Sequence, residues 1–258
     1  MNTTISSIVL FCATFIFSYM TIWFLIAVAI KRNDLADIAW GLGFSTLALI
    51  VPRNSQLSQD LVIRLLIVIW GVRLTYHIAM RIARKAEDYR YQAWRHSWGK
   101  WFLLRSYVQI FLLQGFFMFL IAAPLLIAST STSNPLPLFY WIGLCIWIIG
   151  FLFESIGDMQ LSEFLKSKRK AHSILKTGLW RYTRHPNYFG EVSQWWGIFI
   201  IVMTQTNGII ALVSPITITL LILGVSGIPL LEKRYQGNIE FEEYKKNTSA
   251  FIPWLPKE

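Results

Sequence analysis

The feature that most narrows what this chain can become is a series of long apolar runs separated by short, basic segments. Ile5–Ile30 holds no charged residue. At 1.5 Å of rise per residue a helix of that length crosses the ~30 Å hydrocarbon core of a bilayer with room to tilt. Further runs follow at 35–51, 61–80, 106–128 and 138–157, then a short one ending near 203 and a last one at 209–231. The chain is 55% hydrophobic and only 15% charged, against about 25% charged in ordinary globular domains. It therefore reads as an all-α polytopic integral membrane protein with seven transmembrane helices.

The net charge of +10 would suit a nucleic-acid partner, but its distribution argues against one. Of the 24 Lys and Arg residues, 21 fall in four clusters, at 31–34, 81–105, 158–190 and 232–258. Each cluster lies between or beyond apolar runs on the same side, as the positive-inside rule requires. That places the clusters in the cytoplasm, the N-terminus outside and the C-terminus inside. Lys31-Arg32 follow the first run and no basic segment precedes it, so it reads as a retained helix rather than a signal peptide. Asn33-Asp34 read as the N-cap of the second run. Cys12 and Cys145 both sit in apolar runs, where buried thiols are expected rather than a disulfide framework or a zinc site. No internal repeat is evident.

Chemistry is sought first among polar residues inside the runs, since each costs about 2.5–3.5 kcal/mol at a helix centre. Arg73, Tyr76 and His77 share one helical face, as do Asp34, Asp37, Trp40 and Gly41 on the preceding run. Two readings stand. An Asp37–Arg73 pair could serve only to let two helices insert, or the set could be a polar pocket whose acid, phenol or imidazole polarises a substrate oxygen. Arg64 reads as a snorkelling side chain, and Gln114 as an interhelical hydrogen bond or a pocket residue.

The densest stretch is GLWRYTRHPNYFGEVSQWWG at 178–197. It crowds Arg181, Arg184, His185, Asn187 and Glu191 against Tyr182, Tyr188 and Trp195 at the mouth of an apolar run. Attraction of basic loops to anionic lipid accounts for Lys166–Lys170. It does not account for interleaved acids, amides and a Pro-Asn turn. Guanidinium and ammonium groups here and in the C-terminal tail suit phosphates, while carboxylates and amides suit hydroxyls. Neither GxGxxG nor GxxxxGK occurs, so side chains rather than a glycine loop would have to hold a nucleotide.

GLWRYTRHPNYFGE, followed by WWG and SGIPLLEKRY, resembles the steroid 5α-reductase-like superfamily of membrane proteins, and most closely its bacterial group known as a domain of unknown function. Asp37–Trp40 as DxxW, EDYRY at 87–91, QG at 114–115, DMQL at 158–161 and the closing FEEYKKNTSAFIPW extend the resemblance. It implies a seven-helix enzyme of a bacterial inner membrane, in which cytoplasmic NADPH reduces the carbon–carbon double bond of an enone lipid such as a 3-oxo-Δ4-steroid. Residues 1–128 would form a substrate half and 138–258 a cofactor half. Carried over by position, Asp158, Lys176, Asn187, Glu191, Trp195, Arg234 and Tyr235 match cofactor positions. Arg181, Tyr182, Arg184, His185 and Tyr188 complete that set. Asp37, Tyr76 and His77 are the expected catalytic groups, with Trp40, Arg73 and Gln114 toward the substrate. The superfamily's Gln-Glu pair on the second run has no literal match, and Asp37 stands in for it. The competing class is a methyltransferase using S-adenosylmethionine, since isoprenylcysteine methyltransferases carry a related RHPxYxG; the count of basic groups favours the polyanionic cofactor. A third class is a non-catalytic scaffold whose aromatic and basic loops serve only as interfacial anchors.

Overall fold

The computed structural model describes residues 5–53, 58–83, 85–167 and 173–256; Lys168, Arg169 and Lys170 of the basic run lie outside them. The described elements are helical, joined by a single isolated parallel bridge between Thr183 and Ser249. Five stretches are long and apolar enough to cross a membrane: Ile5–Ile30, Ser58–Ile82, Arg90–Ile121, Pro137–Lys166 and Gly208–Lys233. The two remaining expected spans are the shorter helices Leu35–Ile50 and Pro186–Val202, of 16 and 17 residues, or about 24–26 Å. The chain divides into two compact units.

Unit 1 runs to Asn134 and includes Gln205–Ala211. Its helices are α1 (Ile5–Ile30), α2 (Leu35–Ile50), α3 (Ser58–Ile82), α4 (Tyr89–Trp98), α5 (Phe102–Ser106), α6 (Leu113–Ile121) and α7 (Ala123–Thr130). A π-helical segment, Tyr107–Leu112, joins α5 to α6. Helices α2 and α3 run antiparallel in close contact, for a Cβ on Gly41 would stand 2.7 Å from the Gly71 carbonyl oxygen. Phe44 and Trp70 meet edge to face at 5.4 Å in the core between them.

Two expectations in unit 1 are corrected. Arg64 does not snorkel: it is buried, with Nε 3.0 Å from both Asp60 oxygens, Nη1 donating to the carbonyls of Ala48 and Val51, and Nη2 to Ser129. It thus satisfies the open carbonyls at the end of α2. Asp34 occupies the N-cap position of α2 without a side-chain capping bond. Its carboxylate is engaged instead by Arg32, at 2.8 and 3.1 Å.

Unit 2 comprises Pro135–Thr204 and the chain from Leu212 onward. It holds α8 (Pro137–Lys166), α9 (Pro186–Val202), α10 (Val213–Leu220), α11 (Ile228–Lys233) and α12 (Ile239–Asn247). The pairing of α8 with α9 is made by glycines spaced seven apart, Gly143, Gly150 and Gly157 facing Gly197, Gly190 and the start of α9. A Cβ on Gly143 would sit 2.5 Å from the Gly197 oxygen, and one on Gly150 2.7 Å from the Gly190 oxygen. Small residues at such a seam let helix backbones approach where lipid supplies no hydrophobic drive. Cys12 is buried as expected, whereas Cys145 is exposed on α8.

Candidate functional site

In unit 1 polar chemistry gathers at the N-terminal end of α2. Asp37 lies in its first turn. The Tyr91 hydroxyl donates to Asp37 Oδ1 at 3.1 Å, and the guanidinium groups of Arg81 and Arg90 each stand 3.8 Å from Oδ2. Tyr91 is brought there by α4, whose start is fixed by Asp88. That carboxylate accepts from the Arg90 backbone N–H at 3.0 Å and from the Arg90 side chain at 3.0 Å. Burial acts to raise the Asp88 carboxyl, but these bonds and the Arg90 charge outweigh it and hold it below the ordinary carboxylate range. Glu87 accepts from the Asn33 backbone N–H at 2.7 Å and from Arg95 at 3.1 Å, and the Asp88 N–H reaches Asp34. The acidic-basic segment at 87–95 is thereby folded back over the entry to α2.

Two more of the expected residues share this neighbourhood. Gln114 Nε2 donates to the Ala36 carbonyl at 3.1 Å, beside Asp37. Trp40, one turn further along α2, packs edge-on to Phe44 at 5.1 Å. Arg73 and His77 are half-buried on α3. Tyr76 is 67% exposed, and the phenol that reaches Asp37 is that of Tyr91. The sequence signal for Tyr91 was its place in EDYRY, three residues after an N-cap aspartate.

In unit 2 the stretch at 178–197 makes a different kind of structure from a row of free cations. Gly178, at φ 64°, turns the chain so that the Leu179 N–H meets Gln160 Oε1 at 3.0 Å, and Trp180 Nε1 donates to the Gly157 carbonyl at 3.2 Å. Arg184 is buried. Its Nε and Nη2 lie 2.9 Å from Glu232 Oε1, and its Nη1 donates to the carbonyls of Lys245 and Thr248. His185 Nε2 stands 3.1 Å from the same carboxylate oxygen, with the His185 ring stacked on Tyr188 at 5.7 Å. The Arg184 N–H bonds Ser249 O, Thr183 Oγ1 bonds Phe251 O, and the Trp254 N–H bonds Tyr182 O. Tyr244 donates to the Trp180 carbonyl. Burial pushes the Tyr244 phenol well above its ordinary range, with the Arg184 charge acting the other way. Arg184 and His185 therefore hold the C-terminal tail, with Glu232 as their common partner.

Other expected cofactor residues lie at or near the surface. Arg181, Tyr182, Arg234 and Tyr235 are exposed, and Lys176 is half-buried with Nζ 3.1 Å from Glu240. Between α8 and α9 two polar pairs follow one another: Asn187 Nδ2 donates to Asp158 at 3.1 Å, and Gln194 Nε2 to Glu154 at 2.6 Å. The Asn187 and Gln194 side-chain oxygens are buried acceptors without a hydrogen-bond partner among the described residues. Glu191 lies between them on α9, half-buried, and Trp195 is fully buried. Gln194 went unnoticed in the sequence, although it falls seven residues after Asn187, opposite an acid four residues before Asp158. Among the described residues no His, Cys, Asp and Glu side chains cluster as a metal site would need.

Several known proteins resemble this chain. An uncharacterized protein of Schizosaccharomyces pombe is 26% identical over 169 residues, covering 57% of this chain and 49% of the relative. A very-long-chain enoyl-CoA reductase of Dictyostelium discoideum is 28% identical over 48% of this chain and 39% of its own. The 3-oxo-5-alpha-steroid 4-dehydrogenase 1 of Mus musculus is 27% identical over 44% of this chain and 41% of its own. The chain thus spans half or less of the curated relatives it matches, and no solved structure matches it. The profile of the family described as "Protein of unknown function (DUF1295)" matches residues 23–248. With most of its length inside that match, this chain belongs to the DUF1295 family, and relatives bearing reductase and steroid dehydrogenase names are consistent with the steroid 5α-reductase-like superfamily that its motifs resemble.

Proposed function

We propose that this membrane protein reduces the carbon–carbon double bond of an enone lipid, using NADPH, with seven helices crossing the bilayer and the cofactor residues on the cytoplasmic side. The observation that carries the reading is the Asp37–Tyr91 hydrogen bond, flanked by two guanidinium groups, at the end of an apolar helix. A carboxyl group, a phenol and two fixed positive charges form a donor-rich surround. Such a set hydrogen-bonds a ketone oxygen and stabilises the negative charge that grows on it as the enone becomes an enolate. Tyr91 then has the part that the resemblance gives to Tyr76. Arg81 and Arg90 hold Asp37 and Tyr91 in place, and Gln114, tied to Ala36, fixes α2 against α6.

The residues of unit 2 fit the proposed cofactor in kind. Two buried amide oxygens seeking donors, beside the carboxylates of Asp158 and Glu154, suit hydroxyl and amide N–H groups. The exposed Arg181 and Arg234, with Lys176, suit phosphates. Bound there, the dinucleotide would supply the hydride. Arg184 and His185 contribute by holding the tail that carries the neighbouring basic residues. Relatives with reductase and steroid dehydrogenase names support the same chemistry.

The test is turnover of a 3-oxo-Δ4-steroid by purified protein with NADPH. Loss of a positioned electrophile is expected to slow reduction about 10²–10³-fold in Asp37→Asn and Tyr91→Phe, with cofactor binding retained. Wild-type rates in both variants would refute the assignment.

A further inference from the structure

Unit 1 carries a surface feature that the proposed reaction does not use. Between the last turns of α1 and the chain from α5 into the π-helical segment opens an apolar crevice of about 310 Å³, lined by Phe24, Leu25, Val28, Leu103, Leu104 and Tyr107. The Phe24 ring meets Tyr107 at 4.9 Å and Phe111 at 5.5 Å, which seats the π-helical segment on α1. Leu25, Leu103 and Leu104 are left outside that contact, each more than half exposed. At one end the hydroxyls of Thr21 and Tyr107 meet across the two elements at 2.9 Å.

The other end is cationic. Lys31 follows Val28 by three residues, Lys100 precedes Leu103 by three, and Arg105 adjoins Leu104. Arg95 ties these places together, for Nη2 donates to the Lys31 carbonyl at 3.3 Å while the guanidinium lies 4.2 Å over the Phe102 ring. The neighbouring arginines are matched, Arg32 by Asp34 and Arg95 by Glu87. Lys31, Lys100 and Arg105 are exposed and have no carboxylate partner among the described residues; Lys100 stands 5.8 Å from the Trp101 ring. The sequence gives the reason. No Asp or Glu occurs before Asp34 or between Asp88 and Glu154, so neither wall of the crevice supplies an acid.

We infer that this crevice is a binding site for an anionic phospholipid, with the phosphate at Lys31 and Lys100 and one acyl chain along Leu25, Val28 and the two leucines of α5. The unmatched positive charge selects a headgroup of net negative charge over a zwitterionic one, whose own cation already answers its phosphate. Ammonium groups take phosphate oxygens as point charges, without demanding one fixed geometry. The aliphatic walls favour a ligand with a hydrocarbon chain over a soluble anion.

The experiment is native mass spectrometry of the detergent-purified full chain, titrated with dioleoylphosphatidylglycerol or dioleoylphosphatidylcholine. One phosphatidylglycerol is expected to be retained in preference to phosphatidylcholine. Removing both ammonium groups, as Lys31→Gln with Lys100→Gln, should weaken that retention at least about tenfold, the effect of losing a charge-assisted bond. Val28→Trp, which fills the crevice and leaves the cations, should weaken it as well. A control that removes two exposed lysines elsewhere, Lys233→Gln with Lys246→Gln, should retain the lipid like the wild type. Equal retention of the two lipids, wild-type retention by the crevice variants, or an equal loss in the control would overturn the inference. So would displacement of the lipid by glycerol phosphate at the same concentration, because the site would then read the phosphate alone.

Discussion

Arg184 shows how far a residue's surroundings decide its work. By type it is a phosphate-binding group, and its place in RYTRHPNY suggested that use. Folded, it is buried against Glu232 and two carbonyls of the tail. Arg184→Ala would leave Glu232, among the described residues, with His185 and Lys245 as its ion-pair partners. Breaking one partner of a buried pair costs about 3–5 kcal/mol, so thermal melting should fall sharply, with the tail exposed to protease. Arg184→Lys should not restore it, because an ammonium cannot reach a carboxylate and two carbonyls in one plane. Tyr244 gives a pH signature. Its folded pKa lies above the free phenol value of about 10. The stability it contributes is therefore complete below pH ~10 and is lost as pH rises from there through the folded value. Melting followed from pH 8 to 11 should show that loss in the wild type and not in Tyr244→Phe. The phenylalanine variant should in turn be about 1 kcal/mol less stable at pH 8, for want of the bond to Trp180. None of this was legible in the sequence, where a charged residue carries no sign of whether it faces solvent or a neighbouring carbonyl. Asp37 was legible, as an acid in an apolar run. Its phenol was not, because Tyr91 arrives from α4, more than fifty residues away.

The elements were easier to read than the contacts. Apolar length placed α1 at the bounds found and α2 and α3 within three residues, because a bilayer leaves helices few alternatives. Helix α8, by contrast, runs nine residues past the expected end at 157. Irregularity was not foreseen: the π-helical segments at Tyr107–Leu112 and Leu221–Val225 interrupt two of the long stretches, and backbone insertions of that kind have no strong sequence mark. The glycine seam was available in the sequence as a seven-residue spacing but becomes meaningful only once α8 and α9 are paired. It yields a sharp comparison. Gly150→Ala must push a methyl group against the Gly190 carbonyl and Gln194, and overpacking of that kind costs about 1–3 kcal/mol. Gly224→Ala meets nothing within 4 Å and should melt like the wild type. Equal melting temperatures for the two variants would mean that α8 and α9 are not packed backbone to backbone.

At the scale of the whole molecule, the composition already required a membrane protein, and the family match agrees with the motifs that suggested it. What ties the chain to one chemistry is the nature of its soluble ligand. A reductase needs a phosphate-rich dinucleotide, and a methyltransferase a cationic sulfonium with no phosphate. The exposed Arg181 and Arg234, Lys176, and the acceptor pairs between α8 and α9 are the grounds for proposing the dinucleotide. The most direct measurement is thermal unfolding of the purified chain with NADPH and with S-adenosylmethionine. At a hundred times its dissociation constant, NADPH is expected to add about 2.7 kcal/mol of stability, and S-adenosylmethionine none. Stabilisation by S-adenosylmethionine alone, or by neither at millimolar concentration, would contradict the proposed reduction.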